Sequence, residues 1–245
     1  GLAALARYPQ LTLLQLAGFG LGITLLLLLA VVRVDIVDTW QGSLPKDAPN
    51  HFLINVQADE REALMALLAE RRVPNSGLHA TTRGRLTAIG ERIVRPEAYT
   101  EMRARRLAAR EYSLGFSAEM QADNRVQAGR WWNAEEAGQP AFSVEEGVAR
   151  SLGIRLGDIL TFDVAGQIIS APVTSLRSVA WDSFNVNFFV VGTPALAREL
   201  PVAYLSSLFL DRDSESMTLE LAERFPAVSV LDVRPILSQV REIME

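Results

Sequence analysis

Residues 204–231, YLSSLFLDRDSESMTLELAERFPAVSVL, read as strand, helix, strand: Tyr204 to Leu210, Ser214 to Arg224, then Val228 to Leu231. The same rhythm occurs early in the chain. His51 to Val56 alternates as a strand does. Ala58 to Arg72 carries apolar residues at 64, 67 and 68, one face of a helix, and Thr81 to Ile89 reads as a second strand. What lies between has a different character, so the second strand–helix–strand unit is a return to the first. The sequence therefore predicts an α+β chain with a split α/β domain. Its two halves pair as a βαβ-like unit, much as in ferredoxin-like folds, around a β-rich insert at about 119–193.

Within the middle, Pro96 to Tyr112 reads as an arginine-rich helix containing Arg103, Arg105, Arg106 and Arg110. Ser143 with Glu146 has the spacing of a capping box and predicts a short helix to about Leu152. Gly153 and Gly157 bracket a turn into a strand over Ile159 to Val164. Further strands are expected over Ile168 to Val179 and Asn187 to Val191. At the far end, Asp232 to Glu245 has apolar positions at 233, 236, 237, 240 and 243 and reads as an amphipathic helix.

Upstream, Leu11 to Val32 holds twenty-two consecutive positions without a charge, ten of them leucine. As a helix this run is about 33 Å long, enough to cross a hydrocarbon core of about 30 Å. Its Leu, Ile, Val and Phe residues favour insertion by several kcal/mol on the scale of roughly −0.3 to −0.6 kcal/mol each, partly offset by Gln15, two threonines and three glycines. A cleaved signal peptide would need a shorter apolar run and a small-x-small site, which Val31-Val32-Arg33-Val34-Asp35 does not offer. Gly18 and Gly22 permit close helix contact, a weak pattern by itself. The expectation is a transmembrane helix and connector over 1–45, then one extramembrane domain over 46–245. A chain that starts at Gly1 reads as a piece of a longer polypeptide.

The net charge of −5, with acids and bases interspersed, argues against nucleic acid as a partner, because phosphate neutralisation needs a basic surface. The absence of cysteine removes disulfides, a thiolate nucleophile and a cysteine-based zinc site. No nucleophile elbow, zinc-protease motif or phosphate-cradling glycine loop occurs. His51 and His79 lie near strand starts and read as structural, and Glu145 and Glu146 fit a helix N-terminus. No acid or histidine grouping has metal-ligand spacing. The expectation is a protein without enzymatic activity, catalytic residue, metal or cofactor.

A few polar and aromatic residues stand out. Arg83-Gly84-Arg85 puts two guanidinium groups on one face of a strand. Trp131-Trp132 reads as core packing more readily than as a groove cap. The run 179–190, VAWDSFNVNFFV, joins polar turn formers to a buried-looking strand.

That run carries a family likeness. Leu176-Arg177-Ser178-Val179-Ala180-Trp181-Asp182, followed by Asn187-Phe188-Phe189-Val190, resembles a segment of the FtsX-like permeases of bacterial ABC transporters. Arg83-Gly84-Arg85-Leu86, Gly153-Ile154-Arg155-Leu156-Gly157-Asp158 and the 225–233 stretch FPAVSVLDV are similar at matching order. The resemblance implies a MacB-type periplasmic core domain, a porter-like α/β part with an inserted β-rich lobe, held at the bacterial inner membrane in contact with membrane lipid. It implies a separate cytoplasmic ATPase as partner, a hydrophobic or lipid-linked substrate and no catalytic residues, and it leaves a homodimer open. Arg83, Arg85, Arg177, Trp181, Asp182 and Asn187 are the expected structural or interaction positions. The rival readings are a membrane-anchored sensor or scaffold without ATPase coupling and an anchored hydrolase with an unrecognised site.

Overall fold

The computed structural model describes residues 17–31, 49–183, 185–211 and 215–235. Residues 17–31 form a helix, α1, which belongs to a compact unit separate from residues 47–239. Its side chains are all exposed, Phe19 at 76% and Leu26 at 69% among them. Among the described residues no helix is long and apolar enough to cross a membrane; both ends of the apolar run, 11–16 and residue 32, lie outside them. So does most of the expected terminal helix, from 236 onward.

In the larger unit the elements follow in the order β1 (His51–Val56), α2 (Arg61–Glu70), β2 (His79–Ile89), β3 (Arg92–Ile93), α3 (Met102–Ala109), β4 (Glu111–Phe116), β5 (Asn124–Gly129) and β6 (Phe142–Glu145). They continue as α4 (Glu146–Leu152), β7 (Ile159–Val164), β8 (Gln167–Val179), β9 (Val190–Gly192), α5 (Pro194–Ala197), β10 (Ala203–Leu208), α6 (Glu215–Arg224) and β11 (Ser229–Asp232).

The split α/β half is as the sequence implies. β11, β1, β10 and β2 lie side by side, each antiparallel to its neighbour, so β10 from the second half separates β1 and β2 of the first. This is the interleaved βαβ pairing of a ferredoxin-like fold. Leu64, Leu67 and Leu68 of α2 and Met217 and Leu221 of α6 bury against Leu53, Val56 and Leu208 of the sheet, the stripe that a 3.6-residue period places on one face. Arg71 on one helix side and Glu220 on the other pair at 3.0 Å.

The β-rich part differs from expectation. β2, β4, β9, β6, β8 and β7 pair successively, and β7 returns to β2, which closes a six-stranded ring. Closure removes the free edges an open sheet would expose. Register shifts between Leu86 and Ala88 and between Phe142 and Ser143 supply the extra local twist that closure requires. β2 and β4 belong to the ring, so its strands begin well before the expected insert boundary near 119. β2 serves both halves: His79–Thr81 pair with β10, whereas Arg85–Ile89 pair with β7. The interior is filled by Leu86, Leu114, Phe142, Val144, Leu160, Phe162, Val173 and Val190, with Leu107 of α3 and Val148 and Leu152 of α4 in the same cluster. Phe162 meets Tyr112 edge-on at 6.1 Å and Phe142 at 5.3 Å.

Three local expectations are corrected. The helix over 96–112 is a short turn at Pro96–Ala98, then α3, then strand β4. The helix stops because Arg110 turns extended (φ −80°, ψ 158°), after which Tyr112, Leu114 and Phe116 alternate inward at the strand period. The capping box is also displaced. Glu145 caps α4 by accepting from the Val148 N–H at 2.8 Å, while Ser143 stays in β6 and accepts from Ser175 Oγ. The strand expected at 187–191 is confined to 190–192.

Candidate functional site

The segment between β8 and β9 is held by a polar cluster centred on Asp123, at the start of β5. Asp123 Oδ2 accepts from Ser183 Oγ at 2.5 Å, Asn187 Nδ2 at 2.8 Å and Asn185 Nδ2 at 3.2 Å, while Asn124 Nδ2 donates to Oδ1. Its backbone carbonyl accepts the Ala180 N–H at 3.0 Å. Burial opposes ionisation of this carboxyl, but the side-chain donors outweigh it and hold the group below the usual carboxylate range. Asp123 thus fixes both ends of a turn about sixty residues away in sequence, Ala180 through its backbone carbonyl and Asn187 through its carboxylate.

Arg177 extends the cluster inward. It is fully buried on β8; Nη1 donates to Asn124 Oδ1 at 3.0 Å and Nη2 to the Phe188 carbonyl at 2.6 Å, whereas Nε has no partner. Burial lowers its pKa to about 10, opposed by the nearby charges of Glu145 and Asp123, so it remains a cation at neutral pH. Among the described residues it makes no direct ion pair. A buried guanidinium held only by neutral acceptors and by charges at a distance is a costly arrangement, which makes it an organising element of the fold.

The sequence-selected residues divide accordingly. Arg177 and Asn187 share the cluster, and Asn124 joins them by donating to Asn187 Oδ1 at 2.7 Å. Trp181 sits on the same segment, half-exposed, its ring 4.7 Å from that of Phe189. Asp182 lies in the 181–183 turn, and its side chain is outside the described set. Arg83 and Arg85 are elsewhere. A Cβ on Gly84 would lie 2.9 Å from Leu114 Cδ1, so that position faces the packed interior and both arginines face out. Arg85 is in register with Glu111 on one side and Asp163 on the other, yet neither arginine forms an ion pair among the described residues. The sequence reading missed Asp123 and Asn124. Their only local signal is a pair of turn formers ahead of a strand.

Two hollows flank this region. A small one, ≈ 20 Å³, is lined by His79, Phe116, Gln121, Asn124, Trp131 and Phe188 and has room for about one water. An open cleft of ≈ 480 Å³ is lined by Arg130, Trp132, Glu136, Pro140, Pro172 and Thr174, with the Arg130–Glu136 pair holding the Glu136 carboxyl down to about 2. Trp132 is core, as expected, and its indole N–H donates to the Ser117 carbonyl. Among the described residues no group of His, Asp or Glu could hold a metal.

The histidines are structural and predict an acid sensitivity. His79 Nε2 donates to the Ser76 carbonyl at 3.0 Å and Nδ1 accepts from Gln121 at 3.2 Å, so the neutral ring is satisfied and a second ring proton would face a donor. Burial lowers the pKa of His79 and of His51 below 6.5, against the pull of Asp123 and Asp232 respectively. Below about pH 6.5 the unfolded chain therefore binds more protons than the folded one. Stability is complete above that pH and falls as the pH drops towards the lower folded values. Thermal melting is expected to be flat from about pH 8 to 7 and to decline towards pH 5, with His79→Gln flattening part of the decline. A pH-independent midpoint across the whole range would refute the assignment.

The Asp123 and Arg177 contacts tie the 180–189 segment to the start of β5, and relatives bear on what such a domain serves. No family model matches the chain. The chain is, however, 37% identical over 237 residues to YbbP of Escherichia coli (strain K12), an uncharacterized ABC transporter permease. It resembles a segment of an ABC transporter permease. The match covers 96% of this chain and 28% of YbbP, so the chain spans less than a third of that relative's length. Among solved structures, a domain of a candidate permease protein from Porphyromonas gingivalis aligns with a TM-score of 0.38 at 11% identity, over 77% of this chain and 91% of that one. That overlap is too loose to add to the argument.

Proposed function

We propose that the protein is a permease subunit of an ABC transporter. In this reading it lies in the bacterial inner membrane, in contact with membrane lipid, with residues 46–245 forming a MacB-type periplasmic domain of the FtsX-like permeases. The domain transmits motion driven by a cytoplasmic ATPase, to export or extract a hydrophobic or lipid-linked substrate. The observation that carries the proposal is the identity to YbbP along nearly the whole chain. Two features support it. The exposed side chains of α1 belong to the apolar run 11–32, and such a face is stable in lipid rather than in water. Strand β2 runs unbroken through both the α/β half and the closed ring, so a displacement applied to one half is carried by a hydrogen-bonded element into the other. The role is transport, with nucleotide hydrolysis in another subunit.

The test is purification of the full-length tagged protein from gently solubilised membranes. A stoichiometric ATPase is expected to copurify, with hydrolysis that depends on the complex. A clean preparation without one, across several mild detergents, would overturn the proposal in favour of an anchored scaffold.

A further inference from the structure

The stretch 91–110 contains six arginines and three glutamates, in a chain whose net charge is −5. Arg92, Arg95, Arg103, Arg105, Arg106 and Arg110 are all exposed, and none forms an ion pair among the described residues. The contacts of Arg92, Arg105 and Arg110 are with neutral groups. Arg92 donates to Tyr99 Oη and to the Leu152 carbonyl, each at 2.7 Å, and Arg105 donates to the Tyr99 carbonyl at 2.7 Å, which gathers both around one tyrosine. Arg110 lies over the rings of Tyr112 and Phe189. Arg103 and Arg106 are three residues apart on α3, neighbours on its surface with like charge, and Arg110 follows just past the helix end. Two large apolar side chains of the same stretch, Ile93 and Met102, are each 63% exposed.

We infer that this face, from β3 through α3, docks on the headgroup region of a membrane rich in anionic phospholipid. Guanidinium groups without carboxylate partners match lipid phosphates, which they bind bidentately. Apolar side chains projecting among cations are the other half of an interfacial surface, because they enter the headgroup boundary while the arginines stay at phosphate level. An acidic protein surface would satisfy the charges but would gain less from Ile93 and Met102. The inference rests on the membrane attachment proposed above, which keeps the domain at high effective concentration beside a bilayer. It needs no ATPase.

The chain has no cysteine, so Ile93→Cys and, as a control on the β7–β8 hairpin, the equally exposed Ile168→Cys each supply a single thiol for an environment-sensitive fluorophore. The labelled full chain is reconstituted in vesicles of phosphatidylcholine alone or with phosphatidylglycerol. Flotation after an alkaline wash reports attachment, and the label reports docking, so the two readings fail separately. The label at 93 is expected to shift to the blue only in the anionic vesicles and to return on addition of salt. The shift should be lost in Arg103→Gln/Arg106→Gln/Arg110→Gln, while the label at 168 stays unchanged. Should that variant melt early, the salt titration of the unsubstituted arginines decides. Equal emission at 93 in both lipids, in a chain that floats, would overturn the inference and leave an acidic protein as the occupant. An equal shift at 168 would overturn it as well.

Discussion

Arg177→Ala should destabilise the domain by about 3 kcal/mol or more. Removing the guanidinium leaves the Phe188 carbonyl and Asn124 Oδ1 without their donors, and each buried orphan costs about 1–3 kcal/mol. The truncated side chain also leaves a void in a fully buried position. Relief of the cation's desolvation works in the opposite direction and limits the net loss. For a domain of this size each kcal/mol corresponds to about 2–4 °C, so the melting midpoint of the detergent-solubilised chain should drop by about 6–12 °C. Arg177→Lys keeps the charge but has no planar fork to reach two acceptors in different directions, and should fall between. Arg177→Met separates the remaining possibilities. If it is as stable as the parent, the arginine serves the conformation of the 180–189 segment rather than stability, and that segment should then show faster proteolysis. A change of less than about 0.5 kcal/mol for the alanine variant would place Arg177 outside the organising role assigned to it.

That role was only half legible in the sequence. The α/β half could be read because its information is local: apolar spacing at 64, 67 and 68, alternation over 51–56, and a second strand–helix–strand after a β-rich interval. The outward pair Arg83 and Arg85 could be read for the same reason, since period 2 sets their face regardless of partners. Closure of the ring could not. It depends on β2 meeting β7 and β6 meeting β8, pairings between segments far apart in the chain and signalled by no residue pattern. The arginine-rich helix was overextended because Ala104, Leu107 and Ala108 satisfy a helical period and the change to a strand period begins only at Tyr112. The Asp123 cluster was invisible for a related reason. Asp123 and Asn124 are ordinary turn residues until the fold brings Ser183, Asn185 and Asn187 to them. A family likeness pointed at 176–190 without saying what holds it. The physical answer is a carboxylate and a buried cation supplied by two different strands.

Gly115→Ala should be about as damaging, by a different route. Gly115 lies on β4 between Leu114 and Phe116, whose side chains are buried, so its own missing side chain would point to the opposite face. That face is occupied by Phe188. An added Cβ would lie 2.2 Å from Phe188 Cδ2 and 2.6 Å from Cγ, inside any tolerable contact, and the ring cannot retreat without leaving the cluster it forms with Trp132, Val186 and Val191. Overpacking of this kind costs about 1–3 kcal/mol, and here burial of the phenyl ring is lost in addition. The same residue is therefore clamped twice, its carbonyl by Arg177 and its ring by the glycine beneath it. A double-mutant cycle tests this clamp. Phe188→Ala alone should cost about 3 kcal/mol or more, but Gly115→Ala added to it should cost little, because the space is then free. The pair should be less destabilising than the sum of the singles by at least about 1 kcal/mol. Additive losses would mean that the ring is not seated on Gly115, and the position of the whole 180–189 segment against the ring of strands would have to be redrawn.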